Sequence, residues 1–293
     1  MNYDVILCSY NGELYVEEQI KSILAQTIKP KNIIISDDGS TDKTLEIIDS
    51  IINGYINDNV NISLIDGPRQ GLISNFFNAL KFAISEFVFF SDQDDIWVHD
   101  KVFIFFNALK NNSELINKPL LLFSDAYLLI NDRVSKKTFF NTESLNSDVM
   151  LDSSIYYKNC VQGASMMVNK ELIQICLKSL KYTDKSEILM HDWWFALLAN
   201  IYGNYLFIDE PLIYYRQHDS NIVGTRGKFR RYLNYIFKFK TYINTTKKMI
   251  KQKEALIKTY TSLNIGITKQ SKNTYKYISF MKKICILICK MIS

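Results

Sequence analysis

The sequence predicts an α/β fold in which a mostly parallel sheet is flanked by helices and followed by a basic helical extension. Three observations support this. Short apolar runs alternate with helical patterns over the first part of the chain, polar clusters follow three of those runs, and the charge changes sign near residue 225. Strands that are apolar on both faces are typical of a parallel sheet that helices cover on both sides.

The N-terminal part of the chain supplies four predicted strands, because each of four short segments is almost entirely apolar. Between them, apolar residues recur every three or four positions, which predicts helices. Ser40 or Thr41 is placed to cap the second helix at its N-terminus. The predicted strands cover 3–8, 32–36, 60–65 and 87–91, and the predicted helices cover 14–26, 44–53 and 72–85.

The second part of the chain has a less regular pattern of elements. The predicted elements are a helix over 100–110, a strand over 120–130, a loop that enters a strand over 159–168, a helix that begins at or near Asp192, and two short strands around Pro211 within 205–218. Strands and helices therefore continue to alternate, as the α/β prediction requires.

The totals narrow the class of protein. The chain has 293 residues, which suits one large domain with an appendage. Its five cysteines are scattered and lack the spacing of a zinc site, so a reducing compartment is expected. The N-terminus lacks the features of a signal peptide, and no segment reaches the roughly 18 apolar residues that a spanning helix needs. We therefore expect a cytoplasmic protein.

Charge divides the chain into two parts. Residues 226–293 contain 17 Lys or Arg and a single acid, Glu254, whereas residues 1–225 contain 18 basic and 29 acidic residues. Glycines and the change in charge coincide within 220–228. The predicted domains are therefore a body over 1–224 and a basic, helical extension over 225–293.

The basic extension interleaves lysines with aromatic and aliphatic residues at helical spacing. Such a region is typical of an amphipathic segment that lies on an anionic membrane. The alternative is a set of ordinary helices that pack on the body with lysines in solvent. A nucleic-acid partner is not expected, because nothing in the body resembles a nucleic-acid reader.

Three polar clusters follow the first, second and fourth predicted strands. They are SYNG (9–12), DDGSTD (37–42) and SDQDD (91–95). The carboxyl ends of parallel strands meet at one sheet edge, where ligands of such folds bind. Clustered carboxylates suit Mg²⁺ or Mn²⁺, which in turn bind phosphates. Exposed loops and helix caps are the structural alternative, but neither common Gly-rich phosphate-binding motif is present to offer another route to a nucleotide.

Six motifs resemble those of family 2 glycosyltransferases, which have the GT-A (Rossmann-like) fold. They are CSYNG (8–12), ISDDGSTDKTLEII (35–48), FFSDQDDIW (89–97), NCVQGASM (159–166), HDWW (191–194) and YYRQHDSNIVG (214–224). The last three resemble the bacterial rhamnosyltransferase-like branch that builds surface polysaccharides. The resemblance covers roughly residues 2–224.

The resemblance implies a donor side of the site. Ser9, Tyr10 and Asn11 would contact the nucleotide, and Asp38 would bind the base or ribose, with Asp37 beside it. Asp92 and Asp94 would form the metal-binding D-x-D motif, with Asp92 also near the nucleotide. His218 would contact phosphate or ligate the metal. The implied cofactor is Mg²⁺ or Mn²⁺.

The resemblance also implies an acceptor side. Asp192 would be the general base that deprotonates an acceptor hydroxyl, and a plain helix N-cap is the alternative. The residues implied to contact the acceptor or the diphosphate are Asp95, Gln162, Gly163, His191, Trp193 and Arg216. For Trp193 the alternative to such a contact is ordinary core packing, and for Arg216 it is an ion pair with the acidic body.

The implied activity is an inverting, metal-dependent transfer of a sugar from a nucleoside diphosphate, dTDP- or UDP-linked, to a saccharide or lipid-linked saccharide of a surface polysaccharide. Rhamnose is one candidate sugar. The enzyme would act at the inner face of the membrane as a peripheral protein. One alternative is a catalytically silent nucleotide-binding scaffold at the membrane. Another is a nucleotidyltransferase, although the basic, Gly-rich loop typical of that class does not follow the first strand.

Overall fold

The computed structural model describes residues 1–55, 59–217, 239–263 and 274–292. The strands are β1 (Tyr3–Ser9), β2 (Asn32–Asp37), β3 (Asn61–Asp66), β4 (Phe87–Ser91), β5 (Ile96–Trp97), β6 (Leu120–Ile130), β7 (Arg133–Thr138), β8 (Met166–Asn169) and β9 (Asn204–Gln217). The helices are α1 (Val16–Leu24), α2 (Thr44–Gly54), α3 (Leu72–Ala79), α4 (Lys101–Lys110), α5 (Phe139–Glu143), α6 (Lys170–Ser179), α7 (His191–Tyr202), α8 (Phe239–Leu263) and α9 (Phe280–Ile292).

One sheet joins all nine strands of the described ranges. Its order is β3-β2-β1-β4-β8-β6-β9-β5, and β7 pairs with β6. The strands β3, β2, β1 and β4 are parallel, and β8 is antiparallel to both β4 and β6. The carboxyl ends of β1, β2 and β4 therefore lie at one edge, as the sequence predicts.

Helices cover both faces of this sheet, and the alternation of side chains along β1 shows how. Val5 and Leu7 pack in the core that contains α1 and α4, whereas Ile6 and Cys8 pack in the core that contains α3 and α7. Full burial of one such side chain stabilises the fold by about 1.5–3 kcal/mol. The continuous apolar character of the strand follows from this two-sided burial.

Three predicted details of the elements are wrong. The helix α2 begins at Thr44, whose backbone N–H donates to Asp42 (3.0 Å), so neither Ser40 nor Thr41 caps it. The helix α3 ends at Ala79 and continues as one 3₁₀ turn over Leu80–Phe82, short of the predicted end at residue 85.

The third difference is that a single strand, β9, covers the region of the two predicted short strands. Its pairing with β6 shifts register next to Pro211, between Ile208 and Pro211. Proline has no backbone N–H to donate to the ladder, and a bulge lets the strand pass this position without ending.

The two C-terminal helices pack on the same side of the sheet as α7. Met249 and Leu256 of α8 and Ile286 of α9 belong to that core. The predicted helical character of the extension is therefore confirmed, whereas the predicted boundary at 224/225 lies outside the described residues. Across the part of the chain with a described structure, no helix combines the length and apolarity needed to cross a bilayer.

Candidate active site

A cavity of about 1120 Å³ opens at the carboxyl edge of β1, β2 and β4. Most of the residues predicted for the site line it, and they come from both halves of the chain. These residues are Ser9, Tyr10, Asn11, Asp38, Asp92, Asp94, Gln162, Gly163, His191, Asp192 and Trp193. Asp37, Asp95 and Arg216 do not line the cavity, and His218 lies outside the described residues.

The carboxylate of Asp37 organises the turn after β2. It accepts hydrogen bonds from the backbone N–H groups of Gly39 (3.0 Å) and Ser40 (2.7 Å), and from the hydroxyls of Ser40 (2.6 Å) and Ser9 (2.8 Å). Four donors saturate this carboxylate. Asp37 therefore shapes the loop beside the cavity, and its carboxylate is not positioned to contact a nucleotide directly.

Asp38 connects the same turn to the loop before α3. Its carboxylate accepts hydrogen bonds from the backbone N–H groups of Arg69 (2.6 Å) and Gly71 (2.7 Å). Both of these residues have positive φ angles, 56° and 85°, which glycine adopts readily and arginine rarely. Asp38 lines the cavity and fixes the neighbouring loop at the same time.

The loop after β1 is joined to the loop after β4 by one glutamine. The side chain of Gln93 accepts a hydrogen bond from the Tyr10 N–H (2.8 Å) and donates one to the Tyr10 carbonyl (3.1 Å). A Cβ on Gly12 would come within 2.3 Å of the Gln93 side chain, so a larger residue at this position would displace the glutamine. The middle residue of the D-x-D motif thus sets the position of the predicted nucleotide-binding loop.

Asp92 and Asp94 line the cavity and are half-buried. In the described part of the chain, no hydrogen bond to the Asp92 carboxylate is found. Burial, together with repulsion by Asp94 and Asp192, raises the pKa of Asp92 to about 8. A cation close to this carboxyl group would stabilise its anion.

A divalent cation fits this pair of carboxylates. No group of three or more potential ligand side chains converges anywhere in the described ranges. Mg²⁺ sites in nucleotide-binding proteins, however, use one or two carboxylates and complete their shell with phosphates and water. Asp92 and Asp94 match that arrangement in number and in chemistry.

Asp95 lies beneath the site with its carboxylate fully buried. One of its oxygens accepts a hydrogen bond from the Arg216 backbone N–H (3.1 Å), and the other has no partner among the described residues. The nearby Lys101 is also buried; its Nζ donates to the Ala164 carbonyl (2.8 Å) and lies over the Trp97 ring. Asp95 therefore supports the site from below and does not line the cavity.

Asp192 lines the same cavity from the first turn of α7. Its carboxylate accepts hydrogen bonds from the Gly163 N–H (3.0 Å), the Asn159 side chain (3.1 Å) and the Trp193 N–H. The helix begins one residue earlier, after Met190, so Asp192 is not its N-cap. Burial raises the pKa of Asp192 to about 7, although its hydrogen bonds act in the opposite direction.

His191 and Gln162 bring unpaired polar atoms to the cavity wall. Both ring nitrogens of His191 and both side-chain amide atoms of Gln162 are buried without a partner in the described structure. The imidazole stacks on Phe76 with centroids 3.9 Å apart, and burial lowers its pKa to about 3. It is therefore neutral near pH 7 and cannot pair electrostatically with phosphate. A Cβ on Gly163 would come within 2.7 Å of His191 Nε2, so glycine allows this close packing.

The structure favours the ion-pair alternative for Arg216. Its guanidinium pairs with Glu18 and Asp132, both at 2.5 Å, and lies over the Tyr15 ring. Its Nε donates to the Asp94 carbonyl (3.1 Å). Arg216 therefore fixes the backbone of the loop after β4 and, in this conformation, is not available to a diphosphate.

Trp193 and its neighbour differ in their relation to the cavity. Trp193 lines the cavity but is largely buried, and its indole N–H donates to the Ile155 carbonyl (2.7 Å). Trp194 is fully buried in the core. Trp194 is thus an ordinary core residue, whereas Trp193 packs in the core and also exposes part of its surface to the cavity.

Arg69 is a cavity residue that the sequence analysis does not identify. Within the described ranges it is the one Lys or Arg side chain that lines the cavity, and its guanidinium has no ion pair there. Its side chain packs over Gly39, where a Cβ would lie 3.2 Å from Arg69 Nε. The flanking Gly67, Pro68 and Gly71 indicate a tight loop but give no sign of its function.

Comparison with known proteins gives the family. The model of glycosyl transferase family 2 matches residues 4–144. The chain is 30% identical over 234 residues to the dTDP-rhamnosyl transferase RfbG of Shigella flexneri, across 76% of this chain and 75% of that protein. It is 27% identical to the UDP-Glc:alpha-D-GlcNAc-diphosphoundecaprenol beta-1,3-glucosyltransferase WfaP of Escherichia coli, across 76% of this chain and 80% of that protein.

Solved structures resemble the fold. The mannosyltransferase PcManGT from Pyrobaculum calidifontis, in complex with GDP-Man and Mn²⁺, gives a TM-score of 0.55 at 14% identity over 90% of this chain and 76% of that chain. S. aureus TarS 1–349 in complex with UDP-GlcNAc gives 0.53 at 17% identity, over 99% and 79%. This chain spans 60% of the TarS chain solved with UDP. At these identities the likeness concerns the fold alone, and it confirms the predicted GT-A architecture. Together with the sequence matches, it shows that the chain belongs to glycosyl transferase family 2 and is a glycosyltransferase enzyme.

Proposed function

We propose that this enzyme is an inverting, metal-dependent glycosyltransferase that moves a sugar from a nucleoside diphosphate to a saccharide acceptor of a bacterial surface polysaccharide. The observation that carries the proposal is that Asp92 and Asp94, from the loop after β4, and Asp192, from α7, line the same cavity. Asp192 is close enough to Asp92 to raise its pKa. A leaving diphosphate and an attacking hydroxyl need such groups on opposite sides of one sugar carbon.

The nucleotide would occupy the end of the cavity formed by the loop after β1, Asp38 and Arg69. Tyr10 offers a large exposed ring there, and Asp38 offers a carboxylate beside it. The arginine would bind a phosphate or the base. The relatives RfbG and WfaP are named for dTDP-rhamnose and UDP-glucose, so a dTDP- or UDP-linked donor is proposed for this chain.

Asp92 and Asp94 would hold a Mg²⁺ or Mn²⁺ ion, and His218 is proposed from the sequence as a further contact. When bound, the ion would neutralise charge on the departing diphosphate. Burial and repulsion by Asp94 and Asp192 disfavour the anion of Asp92, and a diphosphate placed beside it without a cation would disfavour that anion further. Donor binding would consequently depend on the cation.

Asp192 would accept the proton of the acceptor hydroxyl. A base works best with a pKa near the operating pH, and burial brings the pKa of this carboxyl to about 7. Gly163 and Asn159 orient it through their hydrogen bonds. As the hydroxyl oxygen bonds to the anomeric carbon, the bond from that carbon to the diphosphate oxygen breaks. Attack from the face opposite the leaving group inverts the configuration.

The acceptor would lie against Gln162, His191 and Trp193. The unpaired amide of Gln162 and the neutral imidazole of His191 can each donate and accept a hydrogen bond, as sugar hydroxyls require. Trp193 adds an apolar surface on which a sugar ring can stack. A lipid-linked saccharide is the proposed acceptor, with the enzyme on the inner face of the membrane and its basic extension on anionic lipid.

Calorimetric titration tests the donor side of this proposal. The protein is titrated with dTDP-rhamnose, UDP-glucose and UDP-galactose, each with and without Mn²⁺. We expect one donor to bind in a Mn²⁺-dependent manner, which would identify both the nucleotide and the sugar. Equal binding of a donor with and without Mn²⁺ would contradict the assigned role of Asp92 and Asp94. Absence of binding by a folded protein to all three would contradict the proposed donor class.

A further inference from the structure

The C-terminal helix α9 has one face fixed to the body. Cys285, Ile286 and Cys289 are buried on that face. Two contacts beside the helix fix its position: Lys282 Nζ donates to the Tyr157 carbonyl (2.5 Å), and the Tyr277 hydroxyl donates to Asp148 (2.9 Å). The orientation of α9 about its own axis is therefore set by packing and hydrogen bonds.

The opposite face of α9 exposes a stripe of large apolar side chains. Phe280 is 77% exposed, Leu287 is 62% exposed and Met291 is 86% exposed. At 100° per residue, these three positions fall within an arc of roughly 40°. Ile284 and Ile288 lie next to the stripe and are partly exposed. A single exposed apolar residue is unremarkable, but three aligned on one short helix indicate a contact surface.

The charge around this stripe indicates what covers it. Lys283 and Lys290 are exposed along one flank of the stripe. From residue 255 to residue 293 the chain has seven lysines and no Asp or Glu. An apolar stripe with cations along one flank and no acidic residue on its helix matches a lipid surface with anionic headgroups, where apolar side chains enter the acyl region and lysines remain among the phosphates. The helix is about 20 Å long, so it suits the plane of the interface.

We propose that α9 lies in the plane of an anionic membrane surface, with Phe280, Leu287 and Met291 inserted between lipids and Lys283 and Lys290 at the headgroups. The proposal names one face of one helix as the lipid contact. The charged remainder of the extension adds electrostatic attraction but does not fix the orientation of the protein on the membrane. The packing of α9 against the body fixes that orientation.

A short segment of the chain connects α9 to the acceptor side of the cavity. Lys282 binds the carbonyl of Tyr157, and two residues later the chain reaches Asn159, which binds Asp192. The segment that leads to the base is thus attached directly to the membrane-facing helix. In this part the inference rests on the proposed function: a lipid-linked acceptor would reach Asp192 from the side that α9 holds against the bilayer.

Vesicle flotation of the full-length protein tests the lipid contact. The vesicles contain equal parts of phosphatidylglycerol and phosphatidylcholine, and pure phosphatidylcholine vesicles serve as the uncharged comparison. The test variant combines Phe280→Ser, Leu287→Ser and Met291→Ser. The matched control combines Leu14→Ser, Phe82→Ser and Ile84→Ser, three apolar residues that are also exposed but lie far from α9 in the chain.

We expect the wild-type protein and the control to float with the anionic vesicles, and the test variant to lose at least tenfold in partitioning while its circular dichroism and melting stay unchanged. Exchanging Lys283 and Lys290 for Glu should also weaken binding. The proposal is overturned if wild-type protein stays off the anionic vesicles, or if the test variant and the control bind equally. It is also overturned if the wild type is a dimer in the absence of vesicles and the test variant a monomer, because a second copy would then cover the stripe.

A second measurement reports the depth of insertion independently of overall affinity. A Leu287→Trp variant should lose fluorescence when brominated lipids are used, whereas a Leu14→Trp variant should not. Equal quenching of the two would contradict insertion of this face. Neither experiment needs donor or acceptor, so its result does not depend on the proposed activity.

Transfer assays separate the two proposals. The test variant should be slow with a lipid-linked acceptor in vesicles and normal with a water-soluble acceptor analogue. Loss of both activities in a folded variant would contradict the acceptor argument, even where vesicle binding behaves as expected. Absence of any transfer by the wild-type protein would contradict the proposed function but would not affect the proposed contact between α9 and lipid.

Discussion

The carboxylates after β2 and the carboxylate of Asp92 after β4 differ in how many hydrogen bonds the protein donates to them. Asp37 accepts four hydrogen bonds, and Asp38 accepts short bonds from two backbone N–H groups of the loop before α3. Asp92 accepts none from the described part of the chain, and burial with neighbouring charge raises its pKa to about 8. The first pair is stabilised by the protein itself, whereas Asp92 needs a partner from outside.

Asp192 is intermediate between the two groups. It has hydrogen bonds like Asp37, yet burial still raises its pKa to about 7. Its hydrogen bonds orient the carboxylate, and its burial keeps it ready to accept a proton. Asp37 and Asp38 therefore build the loops, whereas Asp92 and Asp192 are the carboxylates that we propose act on ligands.

The largest effect is expected for Asp192→Asn. An amide cannot accept the proton of the attacking hydroxyl, so turnover should fall by about a thousandfold. Initial rates at saturating donor measure the effect, and Asp209→Asn, an exposed residue of the bulge in β9, is the matched control. Near-normal turnover of Asp192→Asn would show that the base is another group.

The pH profile should reflect the raised pKa of Asp192. The base acts only as the anion, and burial moves its pKa up to about 7, so protonation below pH 7 removes the active form. At saturating Mn²⁺, kcat/KM should fall by about fiftyfold between pH 7 and pH 5, with a slope that approaches one well below the pKa. A profile that stays flat down to pH 5 would mean that burial does not tune this carboxyl.

Asp37→Asn should lower stability and thereby test the structural side of the comparison. The amide keeps only one acceptor oxygen, so its NH2 group would face either the N–H groups of Gly39 and Ser40 or the donating hydroxyls of Ser9 and Ser40, and some of the four hydrogen bonds would be lost. The free energy of unfolding should fall by about 2 kcal/mol, measured by denaturant titration. Asp49→Asn, on the exposed side of α2, should change it little. A stability equal to that of the control would contradict the structural role.

The smallest effect is expected for Gln93→Ala. Its two hydrogen bonds to Tyr10 are exposed to water, and each is worth about 1 kcal/mol or less. Looser placement of the loop after β1 should raise the KM for the donor about fivefold and leave kcat nearly unchanged. Steady-state kinetics measure this, with Gln174→Ala on the exposed face of α6 as the control. A fall in kcat alone would contradict a role in donor placement.

The local sequence pattern was sufficient to predict the bounds of the buried strands. The bounds of β1, β2 and β4 follow within one residue from continuous apolar runs, because both faces of these strands are buried. Their shared edge then follows from parallel pairing. The two-residue strand β5 could not be predicted in this way, since only its pairing with β9, distant in sequence, defines it.

The environment of individual side chains was harder to predict than their position. Asp37 and Asp38 are adjacent and chemically identical, and only the fold shows which one is saturated by donors. Arg216 matches a motif, but its partners Glu18 and Asp132 are far away in sequence. Arg69 lies in a loop whose glycines predict a turn and say nothing about the cavity that the turn faces.

The central claim is that Asp92 and Asp94 bind the donor through a cation while Asp192 acts on the acceptor. Calorimetry of the donor with and without Mn²⁺, on the wild type, Asp94→Asn and Asp192→Asn, tests it most directly. The account predicts that Mn²⁺ strengthens donor binding to the wild type and to Asp192→Asn but not to Asp94→Asn. Mn²⁺-dependent binding that survives in Asp94→Asn, or disappears in Asp192→Asn, would contradict it.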